Sequence, residues 1–375
     1  MWDPELEKLK ESLIEEFSLP VPNYSEYELH LLECAKNKEM LTIQEQIDYL
    51  RLKNIKFEVE DEQEIRRVLS DVSYYFKLTV YRKNFEKDKY GRYLDLSFKQ
   101  LSELAKIDMY LRDILGRMSL EIEHSLKTLI INILTNSNRI DGYEIVDAYD
   151  KYEKDRFVQL KKKNGEDSSI EDIDFFLKDY VPASQTILRR AKNKKGYDRD
   201  LFEKHNRKPS IWVLIELMSL GELASFLRYY VDNELYDSKK LKDGKHLISQ
   251  LCNIRNAYAH IRPLIYNITN SNEIELVATK VWKYAEHCGV EKRRAMRLLT
   301  NRKINDIVVT IQLHDIYVKT EKMKIARKNE LIKWLHRTEE ARDIFKNSID
   351  FINIYEFFQQ IIQGYGTGSD SKLGL

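Results

Sequence analysis

The strongest helical pattern in the chain is FKQLSELAKIDMYLRDILGRMSLEIEHSLKTLIINIL, residues 98–134. Its apolar residues recur at steps of three and four positions, which is the period of one face of an α-helix. The apolar stripe consists of Leu101, Leu104, Ile107, Leu111, Ile114, Met118 and Ile122. Residues 98–134 therefore predict one long helix, or two helices end to end, with one face buried.

Helical signals extend outward from this stretch. In residues 41–55, Thr42 precedes Glu45 by three positions, which is the capping-box pattern of a helix start. The chain of 375 residues holds only 12 Gly and 6 Pro, which argues against a loop-rich all-β fold. The composition is 43% hydrophobic and 33% charged, so the chain can bury a core and keep a solvated surface.

Two segments carry mixed signals. Residues 61–85 begin with a helical pattern and turn aromatic and β-branched near Tyr81. Residues 209–231 predict a buried helix that is broken or kinked near Gly221. The fold class that we predict is all-α, a helical bundle with an added N-terminal helical module.

The pattern divides the chain into four parts. They are an acidic N-terminal extension (1–40), an N-terminal helical module (41–95), a helical core (96–325) with a variable basic excursion at about 135–208, and C-terminal helices with a frayed tail (326–375). The charge is uneven, because the first 50 residues carry 12 acidic and 4 basic side chains while the whole chain has a net charge of +1. The later parts are therefore basic.

Composition excludes several classes of protein. The three cysteines, Cys34, Cys252 and Cys288, form no CxxC pair, which argues against a disulfide framework and a structural zinc site. The N-terminal residues lack the basic and apolar regions of a signal peptide, and no apolar run is long enough to cross a bilayer. We expect a cytoplasmic protein with no membrane association, no metal and no cofactor.

The segment LCNIRNAYAHIRPLIYN, residues 251–267, carries the chemistry. On a helical wheel, an apolar face is predicted to pack into the core; it consists of Leu247, Leu251, Ile254, Tyr258 and Ile261. Asn256 and His260 are four residues apart and share the opposite side, with Arg255 on the flank of the apolar stripe. Pro263 removes a backbone donor and predicts that the helix stops there. We expect Arg255, Asn256 and His260 in the last two turns, exposed.

The spacing between arginine and histidine is weak evidence alone. Two other pairs have a similar spacing, Arg117 with His124 and Arg199 with His205. An asparagine directly after the arginine, with a five-residue step to the histidine, occurs only at Arg255, and chance predicts it roughly 0.03 times in such a chain.

An arginine, an amide and a histidine suit metal-free cleavage of RNA, in which the 2′-hydroxyl is the nucleophile. His260 is predicted to move the proton, Arg255 to neutralise charge on the phosphorane, and Asn256 to orient the histidine or bind a phosphate oxygen. One histidine cannot easily serve as base and acid in one turnover. We therefore expect a homodimer whose two-fold axis brings two motifs into a composite active site.

The motif RNAYAH resembles the Arg-Asn-x-x-x-His motif of HEPN-domain ribonucleases. The surrounding pattern is similar to the bacterial Abi-like (AbiD/AbiF-type) abortive-infection proteins from about residue 40 to about residue 325. The stretches that carry the resemblance are LTIQEQIDYLRLKNI, LSDVSYYFKLTVYRKNF, IDMYLRDILGRMSLEIEHSLKTLI, PSIWVLIELMSLGELASFL, IRNAYAHIRPLIYN and NDIVVTIQLHDIYV.

The resemblance implies a HEPN-like helical bundle and a metal-independent endoribonuclease that uses Arg255, Asn256 and His260. It also implies a toxin role in phage defence or a toxin–antitoxin pair in bacterial cytoplasm. Some relatives are associated with a small structured RNA, which is a candidate guide or antitoxin for this protein beside its RNA substrate.

Further residues are candidates for supporting roles. Glu216 could form a buried pair with Arg255 or simply point to solvent, and Glu123, Tyr258 and Arg262 are candidates for shaping the pocket. The basic stretches predict RNA contacts, or else solvated helix faces. The RNA-binding candidates are Arg189, Arg190, Lys194, Lys195, Arg293, Arg294 and Arg297.

Two other functions remain open from the residues alone. The first is a non-catalytic RNA-binding HEPN module, in which Arg255 and His260 only grip phosphates. The second is a helical protein–protein adaptor that binds no nucleic acid.

Overall fold

The computed structural model describes residues 24–57, 62–88, 91–137, 141–163, 177–178, 180–269 and 276–367. Residues 1–23 of the acidic extension and residues 368–375 of the tail lie outside the described residues, as do several positions of the basic excursion.

Helices account for nearly all regular structure in these ranges, which confirms the all-α class. The α-helices of the described residues are α1 (Glu26–Asn37), α2 (Ile43–Leu52), α3 (Glu62–Arg67), α4 (Tyr75–Thr79), α5 (Phe98–Asn136), α6 (Glu144–Lys163), α7 (Ala183–Lys192), α8 (Tyr197–His205), α9 (Ile211–Leu217), α10 (Leu220–Asp232), α11 (Lys242–Ala259), α12 (Thr279–His287), α13 (Lys292–Leu298), α14 (Arg302–Tyr317), α15 (Glu321–Glu340) and α16 (Ile349–Gly364). Two short strands, β1 (Ile55–Lys56) and β2 (Leu96–Ser97), pair in parallel, with Ile55 opposite Leu96.

Residues 98–134 form a single helix. α5 runs for 39 residues without a break, and every member of the predicted apolar stripe is buried. At 1.5 Å per residue it is about 58 Å long.

Two helix starts show how local sequence sets the boundaries. Thr42 caps α2, and the Glu45 side chain bonds back to the Thr42 backbone, so the predicted capping box is confirmed. The predicted break near Gly221 is also confirmed, and it lies at Met218 and Ser219. Ser219 forms a capping box with Glu222 and starts the new helix just before the glycine.

Residues 62–72 and 75–84 are helical, although the sequence pattern becomes ambiguous near Tyr81. After α3 and a π-helical turn at Val68–Val72, α4 leads into a 3₁₀ turn at Val80–Asn84. Tyr81 and Asn84 of this turn are both buried. Tertiary burial of the tyrosine therefore overrides the β-propensity of the local residues.

The chain divides into two compact units. One comprises Met1–Arg117, Asn256–Gln312 and Lys322–Leu375, and the other Met118–Arg255 and Leu313–Glu321. The bounds fall within α5, α11 and α14 and after the first residue of α15, so each of these helices contributes residues to both units. The four linear parts drawn from the sequence stay a prediction. Across the described residues, no helix is both long enough and apolar enough to span a membrane.

Candidate active site

Helix α11 ends in a tight backbone turn just after the arginine and asparagine of the motif. The Arg262 N–H donates to the Ala257 carbonyl at 2.8 Å, and the Ile261 N–H donates to the Tyr258 carbonyl at 3.2 Å. Ile261 has a positive φ of 49°. This pair of bonds around a left-handed residue is a Schellman C-cap, and it places His260 on the last half-turn.

The C-cap corrects two predictions. The helix ends at Ala259, before Pro263, because the left-handed residue and not the proline stops it. Ile261 was assigned to the core face, but it is 55% exposed. A residue with positive φ leaves the helical path, so helical-wheel geometry no longer applies to its side chain.

Relieving the strain at Ile261 tests this account. A β-branched residue in the left-handed region costs roughly 1–2 kcal/mol, partly offset by the extra chain entropy of glycine. We expect Ile261→Gly to stabilise the protein by about 0.5–1 kcal/mol in urea unfolding. The control is Asn267→Gly, at φ 59°, where asparagine already tolerates this conformation. An unchanged or lower stability of Ile261→Gly would refute the strain.

The three motif residues lie at this helix end with different exposure. Asn256 and His260 are exposed, as predicted, whereas Arg255 is half-buried. The face opposite Asn256 is buried through Leu251 and Ile254. A firmly packed helix therefore presents the Asn256 amide and the His260 imidazole to solvent. The Arg255 side chain lies between these two groups and the buried face of the helix.

Tyr258 is held against α5 by the absence of a side chain at Gly116. A Cβ added at Gly116 would lie 2.2 Å from Cγ and Cδ2 of Tyr258. The glycine thus allows the tyrosine ring to touch the helix backbone. The sequence named Tyr258 as pocket support but did not identify Gly116.

Replacing Gly116 with alanine is expected to displace Tyr258 and destabilise the protein by about 1–3 kcal/mol, as overpacking does in other cores. Urea unfolding measures the change. The matched control is Gly221→Ala in α10, where an added Cβ meets nothing within 4 Å and should stabilise the helix by about 0.5–1 kcal/mol. Equal effects of the two substitutions would contradict the close contact.

Asp108 anchors the segment that follows the motif, a role that the sequence pattern did not predict. Its carboxylate is fully buried and accepts the N–H groups of Leu264 and Ile265 at 2.5 and 2.8 Å. It also pairs with Arg112 and accepts the Tyr81 hydroxyl. Burial raises the pKa of Asp108, and these donors oppose that rise.

Two buried amide side chains hold the same segment farther along. Asn84 Nδ2 donates to the Ile265 carbonyl at 3.1 Å, and Asn84 Oδ1 accepts the Ile268 N–H at 2.6 Å. Asn301 Nδ2 donates to the Ile268 carbonyl at 2.9 Å. Residues 263–269, which we call the post-motif loop, are therefore fixed by side chains distant in sequence.

Arg262 contributes its backbone to this arrangement. Its carbonyl lies 3.4 Å from Nη1 of Arg112, while its side chain is exposed. The Arg112 guanidinium thus contacts both the buried carboxylate of Asp108 and the carbonyl of Arg262, which follows the C-cap turn. The predicted role of Arg262 in the pocket stays a prediction.

Glu123 and Glu216 have different surroundings. Glu123 forms an ion pair of 3.1 Å with Lys127. Burial raises the pKa of the Cys252 thiol, and the charge of Glu123 raises it as well. The charge of Arg255 lowers this pKa. Glu123 and Arg255 therefore both lie near Cys252.

Glu216 is exposed, so the hypothesis of a buried pair with Arg255 was wrong. Its carbonyl, not its carboxylate, faces the Lys127 ammonium at 3.4 Å. The sequence alternative of a solvent-facing Glu216 is the one observed.

The seven RNA-binding candidates fall into two groups. Arg190, Lys194 and Arg294 are engaged in ion pairs with Glu222, Asp198 and Glu356, at 2.7, 2.9 and 3.1 Å. The exposed remainder is Arg189, Lys195, Arg293 and Arg297. The exposed group is the better candidate set for phosphate contacts, because the described part of the chain shows no ion pair for its members.

The described residues include no cluster of three or more His, Cys, Asp or Glu side chains that could hold a metal ion. Fold and site together define an all-α protein. One of its well-packed helices carries an arginine, an asparagine and an exposed histidine at its C-terminal end.

A family model described as Abi-like protein matches residues 67–266, more than half of the chain. The chain therefore belongs to the Abi-like family, and this membership suggests a role in abortive-infection defence. The match includes α5, the motif and most of the post-motif loop. No curated protein and no solved structure matches the chain.

Proposed function

We propose that this protein is a metal-independent HEPN-type endoribonuclease that acts as a toxin in abortive infection or a toxin–antitoxin system. The observation that supports it best is the end of α11. Asn256 and His260 are exposed there beside the half-buried Arg255, and the post-motif loop is anchored by buried side chains. Rigid placement of this kind is what positioned general acid–base chemistry requires.

The chemistry assigns one task to each side chain. His260 removes the proton from the 2′-hydroxyl, whose oxygen attacks the adjacent phosphorus. The bond from phosphorus to the 5′-oxygen breaks, and that oxygen takes up a proton from a second histidine. Arg255 stabilises the charge that develops on the phosphorane oxygens, and Asn256 orients the histidine or a phosphate oxygen. The products are a 2′,3′-cyclic phosphate and a 5′-hydroxyl.

The second histidine implies a homodimer with a composite active site at the two-fold axis. Mixed dimers test this step. A dimer of one wild-type chain and one His260→Ala chain should lose most of its activity, because one proton transfer then lacks its group. Full activity in a strictly monomeric preparation would rule out the composite site.

We further propose that the protein acts in the bacterial cytoplasm on cellular or phage RNA, with a small structured RNA as guide or antitoxin. Sequencing RNA that co-purifies with the His260→Ala protein tests this partner. A defined small RNA in stoichiometric amount would support it, and only random fragments would count against it.

The direct test is cleavage of single-stranded RNA in excess EDTA. We expect cleavage to continue, with 2′,3′-cyclic phosphate and 5′-hydroxyl ends identified by mass spectrometry. A matched substrate with 2′-deoxyribose at the cleaved nucleotide should resist cleavage, because it lacks the nucleophile. Dependence on magnesium would overturn the mechanism. Binding without cleavage would favour the RNA-binding module, and no association at low salt would favour the adaptor.

A further inference from the structure

A cavity of about 320 Å³ lies between helices α6, α7 and α10, and we call it the α6 cavity. Its volume is within the range of about 300–1,000 Å³ in which proteins bind small organic molecules. The described residues that line it all belong to one compact unit, and they do not include the catalytic motif. The α6 cavity is therefore a candidate ligand site separate from the one already described.

Three aromatic rings line the α6 cavity. Tyr149 is almost fully buried, and its ring centre lies 5.3 Å from that of Phe226, so its position is fixed by packing. Phe157 and Tyr180 are half-buried, with ring centres 5.3 Å apart and ring planes inclined at 45°. Half-buried rings leave part of their faces free for a flat aromatic ligand to stack on.

A carboxylate and a guanidinium line the same cavity side by side. Glu153 Oε2 accepts a hydrogen bond from Arg156 Nη1 at 3.4 Å, which is long for a charged pair. Glu153 Oε1 is buried, and within the described residues it has no hydrogen-bond partner. Because a carboxylate accepts several hydrogen bonds and a guanidinium donates several, this pair can both accept from a ligand at Oε2 and donate to it.

The other carboxylate of the cavity lining is already engaged on both oxygens. Glu222 Oε1 accepts from Arg190 Nη1 at 2.7 Å, and Glu222 Oε2 accepts the Ser219 N–H at 2.7 Å. Glu153 is therefore the acid of the described lining that has unused capacity to accept a hydrogen bond.

The acids near the cavity act on its tyrosines. Burial, followed by the charges of Asp150 and Glu153, raises the pKa of Tyr180 to about 12. Burial, followed by the charge of Glu153, also raises the pKa of Tyr149. The negative charges at this side of the cavity favour a ligand that presents hydrogen-bond donors to it.

We propose that the α6 cavity binds an unpaired nucleobase that carries an amino group next to a ring-nitrogen acceptor, as adenine and cytosine do. The amino group donates to Glu153, the ring nitrogen accepts from Arg156, and the base stacks on Phe157 or Tyr180. Uracil fits less well, because its N–H lies between two carbonyls and one of these would face the Glu153 carboxylate. The site does not rest on the nuclease proposal, because its test measures binding and uses no cleavage.

Nucleoside binding is the first measurement, by equilibrium dialysis of the full-length protein. We expect saturable binding of adenosine and cytidine, and affinity at least tenfold lower for uridine. Purine riboside, which is adenosine without the amino group, should also bind at least tenfold more weakly, because Glu153 then gains no donor. Equal affinities of adenosine and purine riboside, or no saturable binding of adenosine and cytidine, would overturn the proposal.

Substitution of Glu153 with glutamine is the second measurement. We expect the affinity for adenosine to fall about tenfold, as for one lost charged hydrogen bond. The matched control is Asp155→Asn, which removes an exposed carboxylate two positions away on the same helix and should keep the affinity within twofold. A lower Tm of Glu153→Gln with an affinity within twofold of wild type would show that the ion pair is only structural, and would overturn the proposal.

Filling the cavity tests the site without changing its charges. Gly221 lines the cavity, and an added Cβ there meets nothing within 4 Å, so a larger side chain has room. We expect Gly221→Phe to lower the affinity for adenosine at least tenfold while the Tm is retained. Gly221→Ala, whose methyl group leaves most of the volume free, should bind as wild type. Unchanged adenosine binding by Gly221→Phe would place the ligand elsewhere and overturn the proposal.

An RNA arm distinguishes the source of the base. It uses a ten-nucleotide oligoadenylate and the His260→Ala background, so that the RNA stays intact. If Gly221→Phe weakens binding of both adenosine and oligoadenylate, the cavity takes a base of an RNA chain. If it weakens binding of adenosine alone, the cavity takes a free nucleoside.

Discussion

Replacing His260 with alanine is expected to lower RNA cleavage by about 10²- to 10⁴-fold, the usual contribution of a general acid or base. The measurement is the single-turnover cleavage rate at saturating enzyme, so that binding does not limit it. His260 is exposed beyond the end of α11, and surface substitutions change stability by about 0.5 kcal/mol or less. A lower cleavage rate at unchanged stability would therefore show that His260 takes part in the chemical step.

RNA affinity separates catalysis from binding in this experiment. The His260→Ala protein should bind RNA within about threefold of wild type, because phosphate charge is met mainly by arginines and lysines. The matched control is His287→Ala, which removes another exposed histidine near a helix end and should keep the full rate. A parallel fall of rate and affinity would instead identify a phosphate-gripping residue in a non-catalytic module.

Replacing Asp108 with asparagine is expected to destabilise the protein by about 3–5 kcal/mol, as breaking a buried ion pair does. The Arg112 side chain is only 12% exposed and would be left uncompensated. If Oδ1 still accepts the Leu264 and Ile265 N–H groups, the new amide N–H₂ faces the Arg112 donors. Urea unfolding followed by circular dichroism measures the loss.

The neighbouring Asp113 provides the control. Asp113→Asn breaks an exposed pair with Arg117 of 2.8 Å on the same helix, which should cost less than about 1 kcal/mol. Adding Arg112→Met to Asp108→Asn should recover part of the stability, since it removes the unpaired charge. A loss below 1 kcal/mol for Asp108→Asn would show that the carboxylate does not anchor the post-motif loop.

RNA cleavage adds a second readout for Asp108. In Asp108→Asn protein that remains folded at low temperature, the released loop should move the C-cap and reduce cleavage. RNA affinity should change less. An unchanged rate of RNA cleavage would show that the Asp108 contacts do not influence the catalytic motif.

Several features could be predicted from the sequence because they depend on residues within one or two helical turns of each other. The stripe on α5 needed only a period of 3.6 residues, and the capping box at Thr42 and Glu45 needed only a spacing of three. The all-α class follows from many such local signals in agreement. The exposed position of Asn256 and His260 also followed from the helical wheel.

The sequence does carry one indication that Asp108 is important, which is its position. It lies four residues after Leu104 and three before Leu111, inside the buried stripe, where a charged residue requires a partner. Its partners, however, are N–H groups more than 150 positions away. Spacing along a chain cannot identify a partner at that distance.

The sequence by itself determined the helical class, the long central helix and the residue types of the motif, because periodicity and caps act within a few residues. Long-range packing sets where α11 ends, how Tyr258 meets Gly116, and which buried side chains hold the post-motif loop. These depend on a left-handed residue, a steric gap and hydrogen bonds between distant segments. Such terms arise only when the packed chain brings those groups into contact.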